Sequence, residues 1–294
     1  MKQLLILFLF APWALEAKTI EPAGFIPVWE RVGGDHKHKN VTKKGGYKKV
    51  ALADFKFKNI SLLDSQYGQK RSYLAISLKK ILAGRKMGKA VDTALLHFQN
   101  GMLIPVSIAK IMENPSKIHL AIAIKNASGV FSKTFPRLRK PNKLVRDPRP
   151  LRFKDHKLVV SDSAIFLKKT VKINPFRYAD SLKAIELINE NAYLHQFAVP
   201  GAKKGHAAFA NRCQFCHGAR DIGASYGWDF VLPLPLYKKR DINSLMYHIK
   251  YIKQDALAMG LMMPQQKDVS KKEVAHIWEF LKASAKHQQN PYKP

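Results

Sequence analysis

Both cysteines of this 294-residue chain fall within one five-residue stretch, Cys213-Gln214-Phe215-Cys216-His217. That placement removes several ways of organising a fold. No disulfide can join distant segments, and a four-thiolate zinc site cannot form. A zinc half-site would need a second pair of ligands at ligand spacing. The same spacing occurs in redox Cys-x-x-Cys pairs. The length is enough for two compact domains with cores of their own. Apolar residues make up 46% of the chain, so disorder is not the default.

The same spacing is the attachment signature for haem. Two thiols add across the two vinyl groups of one haem and anchor it covalently, as haem c. The neighbouring His217 then stands under the iron as proximal ligand, and iron held this way moves single electrons. Cofactor-binding residues are therefore expected at Cys213, Cys216 and His217.

The residues around the motif form a wider pattern. Val199-Pro200-Gly201 marks a boundary, and Ala202 to Arg212 reads as a helix with Gly205 and Phe209 four apart, leading into Cys213. Asp241 to Lys253 reads as a middle helix. Ser270 and Glu273 form a capping box before a last helix, Ser270 to Ala285, whose Val274, Ile277, Trp278 and Leu281 share one face. Met263-Pro264 lies just upstream. With the haem motif, residues 199–294 resemble a class I mono-haem c-type cytochrome. The resemblance implies an all-α domain in which Gly205 lets the last helix cross the first, with Ile277 and Phe280 at the crossing. It implies Met263 as sixth ligand to iron, giving His/Met axial ligation. Met262 and Met259 compete for that place, as do His206, His248 and His276. It also implies that a proline carbonyl, at Pro233 or Pro235, accepts a hydrogen bond from the His217 ring. Tyr226, Trp228 and Phe230 are expected to line or cover the haem.

The first 198 residues read differently. Residues 18–50 look irregular, with His36 and His38 in a basic loop. Strands are expected from Phe55, over Thr93–Phe98, from Met102 to Ile108, over His119–Lys125, at Leu158–Val160, over Ala164–Val171 and at Ala184–Ile188. Gln99-Asn100-Gly101 is a hairpin turn signal. Ser77–Leu82 has helical spacing. Residues 133–157 are basic and proline-rich, as in an extended loop. Tyr73 to Leu82, Ala90-Val91-Asp92 and His97 to Gly101 resemble part of the sulfite-oxidase-type molybdopterin-binding domain. The resemblance implies an α+β domain with a mostly β core. That family holds molybdenum through a cysteine thiolate, and this region has no cysteine, so a cofactor-free accessory domain is expected.

The charge is extreme, at +30. Residues 201–294 carry 15 basic and 7 acidic residues, a net of +8, which leaves +22 for the first 200 positions. The start reads as a signal peptide over 1–17, with Met1-Lys2 before the apolar run Leu4–Phe10 and Ala17 before a cut at Lys18. The expected architecture is multi-domain: an α+β, mostly β domain over 18–198, then an all-α class I cytochrome c domain over 199–294. The expected function is one-electron transfer by an exported, periplasmic c-type cytochrome, an electron carrier rather than a self-contained enzyme. The alternative is the cytochrome subunit of a periplasmic oxidoreductase whose substrate site is on another chain. The basic charge suits a redox protein partner with an acidic docking face, and also an anionic membrane surface. No nucleic-acid partner is expected, for want of a recognisable motif.

Overall fold

Thr93–Phe98 is apolar at nearly every position, and a strand of that kind must be buried on both faces. In the computed structural model it is. Residues 24–30, 48–136 except 84 and 86, 156–251 except 221, and 266–286 are described. Strands β1 (Phe25–Glu30), β2 (Lys48–Ala51), β3 (Lys58–Asp64), β4 (Gln69–Ser77), β5 (Thr93–Phe98), β6 (Leu103–Ser107), β7 (Ile118–Lys125), β8 (Phe131–Ser132), β9 (Lys157–Val160) and β10 (Leu182–Ile188) build two sheets. The first runs β2-β1-β10-β5-β6, with β1 and β10 parallel and the rest antiparallel. The second runs β3-β4-β7-β8, and β9 also pairs with β7.

Short helices α1 (Leu78–Leu82), α2 (Ile108–Glu113), α3 (Ser163–Phe166) and α4 (Glu190–His195) connect or flank the strands. The expected strand at Ala164–Val171 is instead α3 followed by turns. Asp162 caps it by accepting from the Ala164 N–H at 3.1 Å, a local bond that competes with extended structure. β1 and β2 lie in the stretch that reads as irregular. Proline at position 27 breaks the alternation of β1, which only its pairing reveals.

Beyond the sheets come α5 (Lys203–Arg212), β11 (Gly218–Ala219), β12 (Ile222–Gly223), α6 (Leu236–Lys239), α7 (Ile242–Tyr251) and α8 (Lys271–Lys286). The expectation of an all-α C-terminal domain is thereby corrected. Immediately after His217 the chain forms a two-stranded antiparallel ladder, Gly218 opposite Gly223 and Ala219 opposite Ile222. The chain as a whole is mixed α and β. Gly223, at the end of β12, has a φ of +102°, a conformation natural to glycine.

The hydrophobic cores also cross the expected boundary at 198. Leu96, Phe98 and Ile104 point between the two sheets, into a core shared with Ile76, Leu120 and Ile185. Phe215 and Cys216 of the Cys213–His217 stretch belong to that core. The alternate residues Leu95 and Leu103, with Ile188, point to the other face and join Phe197, Phe209, Ile277, Phe280 and Leu281. One strand thus serves two cores because successive side chains point to opposite faces. The first sheet is a wall between the second sheet and the α5–α8 pair.

Candidate functional site

α5 ends at Arg212, and the backbone then closes tightly. Cys213 donates to the Phe209 carbonyl at 2.7 Å, and the N–H groups of Cys216 and His217 both donate to the Cys213 carbonyl, at 3.1 and 2.9 Å. This brings both thiols and the imidazole into one turn. Both cysteines are unbridged and buried. Burial pushes each thiol up to about 12, with Arg212 partly offsetting it at Cys213 and the neighbouring Cys213 adding to it at Cys216. Among the described residues, no three His, Cys, Asp or Glu side chains gather in a metal-holding group.

The His217 ring is held from three sides. Its Nδ1 donates to the Trp228 carbonyl at 2.9 Å, which fixes the proton there and leaves Nε2 with its lone pair. Gly227 lies flat against the ring, since a Cβ there would meet His217 Cε1 at 2.3 Å. Phe230 stacks on the other side with centroids 4.2 Å apart. Burial lowers the imidazole's basicity, while the bond to Trp228 works in the other direction. The expected acceptor, a carbonyl of Pro233 or Pro235, is therefore replaced by Trp228. Asp229 explains why. Its carboxylate accepts from the backbone N–H groups of Arg220, Val231 and Leu232, at 3.2, 2.7 and 2.8 Å, and so sets the turn that aims the preceding carbonyl.

Gly205 sits where the resemblance places it. A Cβ there would fall 2.0 Å from the His276 carbonyl oxygen and 2.6 Å from Phe280 Cβ, so α5 and α8 cross at contact distance only with glycine. Phe209 and Phe280 pack at 5.3 Å beside the crossing. The Ser270–Glu273 capping box forms, with Glu273 N–H donating to Ser270 Oγ and Ser270 N–H to Glu273 Oε2, both at 3.1 Å. His206 is sandwiched between Phe197 and Phe280 at 6.2 and 5.7 Å, a packing role rather than a ligand position. His276 contributes its backbone to the helix crossing. Met259, Met262, Met263 and Pro264 lie outside the described residues, as do the signal-peptide stretch, His36 and His38, and residues 137–155.

Sequence reasoning missed the embrace of this turn by the first sheet. Leu103 N–H donates to the Phe215 carbonyl at 3.1 Å, and Ser225 N–H to the Gly101 carbonyl at 2.9 Å. Gly101, with φ +89°, is pressed against Ser225, where a Cβ would come within 2.6 Å of its Oγ. Phe215 is 1% exposed, a burial worth about 2–3 kcal/mol. The available signal was an aromatic between the two cysteines. Tyr226 packs against the inter-sheet core, whereas Trp228 is 67% exposed and contributes its carbonyl.

No family model matches the chain, and no curated protein or solved structure matches it either. Among the described residues, no helix is long and apolar enough to cross a membrane.

Proposed function

We propose that the chain is an exported c-type haem protein that transfers single electrons. The observation that carries this reading is the His217 imidazole. It is oriented through Nδ1 by a backbone carbonyl, with Nε2 left for a metal, and it sits in one turn with two buried, unbridged thiols. The donor set fits haem c: two thiols for thioether links and one neutral imidazole with a fixed tautomer.

Each protein group has a stated task. Cys213 and Cys216 tether the group to the α5 end of the site. His217 would hold the iron through Nε2, and the Trp228 carbonyl raises the ring's basicity by accepting the Nδ1–H hydrogen bond. By its place before Pro264 in the sequence, Met263 would be the second protein residue to hold the iron. Haem held there supplies an iron that alternates between ferrous and ferric. The first sheet keeps water away from the thiol side through Phe215 and Cys216. The excess positive charge steers a redox partner with an acidic face, so association weakens as salt rises. The amino-terminal pattern supports periplasmic placement.

The test is the intact mass and denatured absorbance of the chain produced in a host that attaches haem. We expect one haem retained after denaturation, and none in Cys213→Ala/Cys216→Ala. A wild-type chain without covalent haem would sink the reading. Loss of the His217→Ala ferrous low-spin bands, with the mass unchanged, would separate the ligand from the tether.

A further inference from the structure

Gln214 stands between the two cysteines, yet the proposed electron transfer does not use it. It is 6% exposed, and its carboxamide oxygen Oε1 is buried without a hydrogen-bond partner among the described residues. A buried acceptor left unpaired costs stability, and folded chains keep few of them. A second such atom, His206 Nε2, belongs to α5. The faces of the His206 ring stack on Phe197 and Phe280, so it is the edge of the ring that goes unpaired.

Both residues line one cleft of about 370 Å³. It lies between α5, α4, the stretch after α3 and the edge of the first sheet at Pro105. Leu167, Val171, Leu194 and Phe215 make its walls largely apolar. Mostly apolar walls with a few polar groups, at this volume, are the makeup of a small-molecule site. The frame is tied in place. Thr170 Oγ1 donates to Asn211 Oδ1 at 2.9 Å, and Lys172 N–H donates to the Asn211 carbonyl at 3.1 Å, which holds the stretch after α3 against α5. Lys168 pairs with Glu190 at 2.8 Å and joins the same stretch to α4.

The unpaired atoms select the ligand. A carboxylate would set its lone pairs against Gln214 Oε1. An ammonium meets no anion at His206, which is held below its ordinary pKa by burial and by the nearby charges of Arg220 and His195. A hydroxyl donates to a carboxamide oxygen, and it also pairs with an imidazole nitrogen in either tautomer. Water could make the same bonds but would leave the apolar walls wet. We propose that this cleft binds a small uncharged molecule with an apolar body and a hydroxyl group, the phenol class being its simplest form. The site is separate from the iron chemistry proposed above and does not rest on it.

The test titrates phenol into the full-length chain and into Gln214→Met and Ala207→Trp, with toluene alongside, by calorimetry and thermal midpoint. We expect saturable binding of phenol to wild type, with Kd on the order of 1 mM. Gln214→Met keeps the length of the side chain and removes its acceptor. It should bind phenol about tenfold more weakly, the scale of one hydrogen bond whose partner is left unpaired, while toluene, which lacks the hydroxyl, binds no more weakly than to wild type. Its thermal midpoint should equal or exceed that of wild type, because a buried unpaired acceptor is gone. A lower midpoint with unchanged phenol affinity makes Gln214 a packing residue and overturns the proposal. Ala207 lines the cleft from an exposed position of α5, so Ala207→Trp should fill the cleft and remove binding without entering a core. If Gln214→Met does not accumulate, wild-type phenol affinity in Ala207→Trp overturns the proposal in its place. Absence of saturable phenol binding to wild type also overturns it.

Discussion

Among the described residues two cations, Lys157 and Arg212, are buried, and they behave differently. In the second sheet, Lys157 Nζ lies 2.6 Å from Asp64 Oδ2, and both side chains are 0% exposed. Tyr73 donates its hydroxyl to the same oxygen, and the rings of Tyr67 and Tyr73 cover the ammonium at 5.0 and 5.9 Å. At the Cys213–His217 turn, Arg212 is also buried, but its carboxylates are not: Asp268 is 62% exposed and Glu273 32%. The first pair has surrendered all its water. Burial pushes Lys157 down to about 8, and Asp64 only partly offsets the shift. The second keeps half of the pair solvated, and its cation is favoured. A fully desolvated pair stabilises little and is costly to break. A half-solvated fork ties Gln266, Asp268 and Glu273 to the turn at lower cost.

The largest effect should come from breaking the buried pair on one side. Asp64→Ala leaves an unpaired lysine inside the sheet and should cost about 3–5 kcal/mol in urea unfolding. A smaller cost would show that water reaches Lys157. Breaking the half-solvated fork should cost less. Arg212→Gln is expected to lose about 1–3 kcal/mol in the same measurement, because its carboxylates regain water. Equal losses from the two variants would erase the contrast.

The pH dependence sharpens it further. Between about 8, where folded Lys157 titrates, and its ordinary 10.5, the unfolded chain holds a proton that the folded chain does not. Unfolding then takes up a proton, so the Lys157 contribution rises as pH increases through that window and is lost as pH falls through 8. Lys157→Met/Asp64→Leu should flatten this part of the stability–pH curve relative to wild type. The smallest effect is expected from the same double variant at pH 7. Replacing a buried pair with apolar side chains should change stability by about 1 kcal/mol or less, or raise it.

Much of the site's local chemistry was legible before any fold was known. The five-residue motif, Gly205, Phe209 and the Ser270–Glu273 box are short-range patterns, and their spacing follows from helix geometry. β5 and β7 were visible because apolar runs of that length have few alternatives. β1 was not, because its backbone is satisfied by partners 24 and 157 residues away, Val50 for Ile26 and Ile185 for Val28. The ladder after His217 is only two residues per strand, too short for any periodicity to show.

The cysteine count, by itself, determined that both thiols serve a single turn, and the residue types there set which chemistry that turn can perform. Only the tertiary structure decided who holds the turn. The acceptor for His217 is Trp228 because Asp229 shapes its loop. Arg212 becomes a fork because residues 266–273 fold back over it. Phe215 faces the inter-sheet core because the β5–β6 hairpin reaches the motif across more than 100 positions of sequence. Such contacts depend on where distant backbones end up, and no local spacing encodes that.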